Sequence, residues 1–108
     1  MKDQSGMKKR AEISKILDAL GSPEDVRQMI TRLLQIADKY DILDSKNHLG
    51  EATGLVYIAG ILTSNPVTLA TIAKIAGLSA ETVLKYKTHL AGELKTKKEW
   101  PGLPSKVG

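Results

Sequence analysis

Eight side chains in one stretch of this sequence have the types and spacing to recognise a polyanion: Lys74, Ser79, Glu81, Thr82, Leu84, Lys85, Lys87 and Thr88. Lys85 suits a phosphate or a guanine edge, and Thr88 suits a phosphate. Ser79 and Thr82 mark a helix start whose backbone N–H groups attract an anion. Leu84 can press a thymine methyl, and Glu81 can accept from a cytosine amine. Other chemistries find little support. His48 and His89 are the only histidines and fall on different expected helices, so a metal site is not expected. Asp38, Asp41 and Asp44 lack the spacing of a calcium loop and read as a solvated helix end. No glycine-rich loop follows a strand, and no nucleophile stands beside a base. The sequence thus predicts neither an enzyme nor a cofactor or metal.

The element that must position these residues is a helix-turn-helix over 67–90. Gly77 sits at the turn, where a positive φ is cheap only without a Cβ. Ala73 stands where the first helix must pass close to the second. Leu69, Ile72, Ala76, Leu78, Val83 and Tyr86 form the apolar wedge between them, and Ser79 is placed to cap the second helix. Such a unit puts one helix against DNA, although an ordinary helical hairpin has the same pattern.

Composition bounds the rest. The chain has 108 residues, enough for one domain, with 42% hydrophobic and 26% charged residues. There is no Phe, one Trp and three Tyr, so the core must be aliphatic. Cysteine is absent, which excludes disulfides and thiolate metal sites. No apolar run has the length of a membrane span, and the charged N-terminus lacks an apolar signal region. Net charge is +4, and its position matters more than its size. Residues 1–61 hold nine Lys/Arg and nine Asp/Glu, whereas 62–108 hold seven Lys against Glu81, Glu93 and Glu99. The excess is either the footprint of a polyanion partner or a solvated tail containing Lys95, Lys97, Lys98 and Lys106.

Periodicity predicts five helices and no strand. Residues 1–9 are polar and expected to be flexible. Ala11, Ile13, Ile16, Leu17 and Leu20 mark a first helix from about Arg10, ended by Gly21. Ser22, Pro23 and Asp25 predict a capped start for the second, which runs to about Tyr40. Asn47 is the expected cap of a third helix reaching about Thr63, apolar nearly all round and so central. Thr68 caps the short fourth helix. The fifth runs from Ala80 to about Thr96. The segment 99–108 reads as an irregular tail. Its Trp100 is either a flap on the domain or a free partner peptide, and the cost of exposing an indole favours the flap.

The ordered set of segments resembles a known family. Leu17 to Ser22, Leu55-Val56-Tyr57-Ile58-Ala59-Gly60-Ile61-Leu62, and the stretch from Thr68 to Leu90 are together similar to the second cyclin-like repeat of archaeal transcription factor B and eukaryotic TFIIB. The likeness spans about residues 10–96. It implies an all-α, five-helix cyclin-like bundle with a central third helix and a C-terminal helix-turn-helix over 68–96. It also implies docking on promoter DNA beside the TATA element, contact with TATA-binding protein, and a place in the RNA polymerase machinery. The implied location is an archaeal cytoplasm, near the nucleoid, or a eukaryotic nucleus, with no membrane partner. The family's zinc ribbon and first repeat are not in this sequence, so recruitment of polymerase in the usual way is not expected; the chain reads as an excised domain or a single-repeat paralogue. The family's specificity arginine falls on Leu84, its second arginine on Tyr86, and a family valine on Glu81. A cyclin-type module that binds a protein partner without reading DNA is the alternative expectation.

Overall fold

The computed structural model describes the backbone of residues 2–43 and 47–101, and the side chains from Lys9 onward within that range. Five helices follow in order: α1 Lys2–Leu20, α2 Glu24–Lys39, α3 His48–Leu62, α4 Leu69–Ala76 and α5 Ala80–Leu94. The described residues contain no strand. The protein is an all-α five-helix bundle. α3 lies at its centre and packs against α1, α2, α4 and α5. The central position follows from composition, because ten of the fifteen residues of α3 are buried and no face is left polar enough for water. Ile16, Leu33, Leu55, Ile72, Val83, Leu90 and Leu94 fill the aliphatic core around it.

The helix ends explain much of the topology. α1 ends at Gly21 (φ 65°), where the Ser22 N–H donates to the Leu17 carbonyl and the Gly21 N–H to Asp18. α4 ends the same way at Gly77 (φ 74°), with bonds from Leu78 to Ala73 and from Gly77 to Lys74. This six-residue closure satisfies carbonyls that the helix leaves unpaired. α2 and α3 close alike, but with Asp41 (φ 53°) and Ser64 (φ 62°) in the left-handed position. An Asp tolerates that conformation through its short polar side chain; a Ser does so less readily.

Two expected features differ. The first helix begins at Lys2 instead of Arg10, so the segment expected to be flexible continues α1. Lys9 is the physical reason near its end: it is buried and paired with Glu51 of α3. At α2, Pro23 occupies the cap position in place of Ser22, with no side-chain cap bond. Ser22 is committed to closing α1, and Pro23 has no N–H for Asp25 to reach. Glu24 and Asp25 instead place negative charge in the first turn, where the helix dipole favours it. Asp44 and residues 102–108, including Lys106, lie outside the described residues.

Candidate nucleic-acid interface

Three hydroxyl or amide caps fix the helices that carry the site. Asn47 Oδ1 accepts from the Gly50 N–H at 2.8 Å, Thr68 Oγ1 from Thr71 at 3.1 Å, and Ser79 Oγ from Thr82 at 3.1 Å. Each satisfies an N–H that its helix cannot. Ala73 is buried between α4 and its neighbours, and Ile72 and Val83 are fully buried in the wedge behind the turn. α4, the turn at Gly77 and the start of α5 therefore stand where the sequence places them, whereas Tyr86, expected in the wedge between the two helices, packs on α3.

The rotation of α5 is set by its approach to α3. A Cβ on Gly54 would lie 3.0 Å from the Lys87 N and 3.1 Å from the Tyr86 C, so the two backbones meet there. A Cβ on Gly50 would lie 2.5 Å from the Tyr86 ring. Asn47, already the cap of α3, donates from Nδ2 to the Tyr86 hydroxyl at 2.9 Å. One asparagine thus ties the start of α3 to the middle of α5. Tyr86 is a packing residue.

With α5 so turned, Val83, Leu90 and Leu94 face inward. Ser79, Glu81, Leu84, Lys85 and Thr88 are exposed, as is Lys74 on α4. Thr82 is partly buried, and its hydroxyl pairs with that of Ser79 at 2.9 Å. Lys87 differs from the rest. It is partly buried on the α3 side, with its ammonium 5.6 Å from the centre of the Tyr57 ring. It therefore leans away from the outer face it was expected to share with Lys85. Lys85 itself rests 5.8 Å from the centre of Tyr86's ring. Leu84 (42% exposed) and Ile75 (37%) present apolar surface on α5 and α4.

Residues 97–101 lie against α2. Lys97 accepts from the Trp100 N–H at 3.0 Å, and Trp100 packs against the core. Glu99 accepts from the Tyr40 hydroxyl at 2.7 Å and pairs with Lys39 at 2.5 Å. These bonds, led by that from Lys39 and then that from Tyr40, hold the Glu99 carboxyl down at about 2; the same partner raises Lys39 and Tyr40. Trp100 is a flap, as the cost of its exposure favoured. Lys97 sits 5.1 Å from the centre of the Tyr40 ring, and Lys98 lines a groove with Arg32 and Trp100. These tail lysines therefore gather at the C-terminal end of α5, about 20 Å along the helix from its start.

Sequence reasoning missed one cluster. Lys9 Nζ lies 2.9 Å from Glu51 Oε1 and 3.1 Å from His48 Nδ1, and Lys9 and Glu51 are only 2% and 3% exposed. Glu51 was the available signal: a carboxylate within an otherwise apolar central helix requires a cation. His48 is a partner of that pair, and His89 is exposed on α5. No helix among the described residues is long and apolar enough to cross a membrane. No protein-family model, curated protein or solved structure matches the chain.

Proposed function

We propose that the protein is a DNA-binding domain of transcription-factor-B type. It acts without catalysis, by laying the outer face of α5 in a major groove of promoter DNA beside a TATA element, with contact to TATA-binding protein. One observation carries this reading: the helix following the tight turn is anchored through Tyr86 and Gly54 while Lys85, Thr88 and Ser79, and Lys74 on α4, remain exposed. Lys74 and Lys85 supply phosphate contacts, and Thr88 adds a hydroxyl donor. Leu84 replaces the family's guanine-reading arginine with an apolar contact suited to a thymine methyl, so base preference shifts away from guanine at that position. Glu81 beside the helix start disfavours a phosphate there.

The exposed Leu84 and Ile75 favour a second reading, a cyclin-type module that docks on a protein of the transcription machinery through α4 and α5. Anisotropy of a labelled random duplex separates the two. If Lys74 and Lys85 each neutralise one phosphate, affinity falls roughly tenfold between about 50 and 200 mM salt. Lys85→Ala then weakens binding and reduces the salt slope by about 1. Flat anisotropy at both salts overturns the first reading and leaves the second.

A further inference from the structure

The groove between α2 and the turn that carries Trp100 has an open volume of about 550 Å³ and lies away from the outer face of α5. That volume is typical of a small-ligand site. Its lining has two parts. Ile36, Pro101 and the Trp100 indole form an apolar side, and Arg32, Lys39 and Lys98 bring three cations to it. Gln35 contributes an amide that can both donate and accept. The single carboxylate, Glu99, is engaged by Lys39 and Tyr40. Among the described residues, neither Arg32 nor Lys98 forms an ion pair. Arg32 and Lys98 thus line the groove without a counter-charge among the described residues, and charge complementarity calls for an anion there.

We propose that this groove binds a nucleotide unit, with its phosphate between Arg32 and Lys98 and its base against Trp100. A guanidinium and an ammonium are the side chains that hold phosphate. An aromatic face accepts any base by stacking, and the Gln35 amide can bond its edge. Lys39 plays a separate part: by holding Glu99, it keeps the Trp100 turn on α2. The site needs no duplex and stands apart from the major-groove reading of α5, so either can fail alone.

Trp100 is the sole tryptophan, and its fluorescence reports on the groove directly. The full chain is titrated with thymidine 5′-monophosphate, with a short oligo-thymidine single strand, and with inorganic phosphate. The expected result is a saturable change in Trp100 emission with the monophosphate, the single strand, or both, at a Kd below about 1 mM. Tighter binding of the strand identifies the source as single-stranded nucleic acid; tighter binding of the monophosphate identifies a free nucleotide. Arg32→Ala with Lys98→Ala should weaken binding tenfold or more with circular dichroism unchanged, and Arg32→Lys with Lys98→Arg should restore much of it. Three results overturn the proposal: no saturable change with either nucleotide ligand, an equal response to inorganic phosphate, or an unaltered Kd in the double alanine variant.

Discussion

Gly54→Ala and Gly92→Ala add the same methyl group to two helices, yet their surroundings demand opposite outcomes. Gly92 lies on α5 with nothing within 4 Å of an added Cβ. Alanine there gains helix propensity, about 0.8–1 kcal/mol. Gly54 has the same propensity to gain, but its Cβ would meet the Lys87 N at 3.0 Å, the Tyr86 C at 3.1 Å and Leu90 Cδ1 at 3.1 Å. Two of those atoms are backbone in the middle of α5 and move only if the helix moves. Overpacking of this kind costs about 1–3 kcal/mol, so the net loss at Gly54 is about 1 kcal/mol. The two variants should therefore differ by about 2 kcal/mol. Urea unfolding followed by circular dichroism at constant slope measures that difference directly. In thermal terms Gly92→Ala raises Tm by about 4–8 °C and Gly54→Ala lowers it by a similar amount. If Gly54→Ala stabilised as Gly92→Ala does, α5 would not sit on α3 at this distance. The orientation of Lys85 and Thr88 derived from that contact would then be wrong as well.

Lys9→Ala takes the Lys9 ammonium away from the buried Glu51 carboxylate, and unfolding free energy should drop by about 3–5 kcal/mol; a loss under about 1 kcal/mol in urea would refute the buried pair. Asn47→Ala removes a helix cap and the bond to Tyr86, each worth about 1 kcal/mol, so a loss near 2 kcal/mol is expected, and a Tyr86→Phe background should reduce it by about half. Glu99 has a folded pKa of about 2, below its ordinary value of 4.5, so its contribution is present above 4.5 and is lost as pH falls towards 2. Trp100 emission should change across that acid window in the wild type and stay level in Glu99→Gln; identical titrations would dismiss the clamp.

The sequence made the helices legible because their punctuation is local. Asn47, Thr68, Ser79 and Gly77 each act within one turn of their own position, and each appears in the structure in the role its chemistry suggests. The apolar surround of α3 likewise required a central position. Long-range pairing was less visible. Lys9 reads as part of a polar N-terminal stretch until α1 is laid beside α3, where it meets Glu51, 42 positions later. Lys87 looks like a groove lysine until the Gly54 contact turns it towards Tyr57. Ser22 carries the preferred cap chemistry, but its N–H is drawn into closing α1 and Pro23 takes the cap position. Of the candidate interface, the exposed set on α5 was readable from helical spacing alone. The groove around Trp100 was not, because Arg32 and Lys98 come together only when the chain folds back along α2.

The most direct measurement of the central claim is an NMR titration of the full chain with a short duplex, following backbone amide shifts. Docking through α5 should perturb a contiguous set of amides over Lys74, Ser79, Glu81, Leu84, Lys85 and Thr88, diminished by salt. Shifts confined to α1 and α2, or no shift at duplex concentrations well above micromolar, would contradict it.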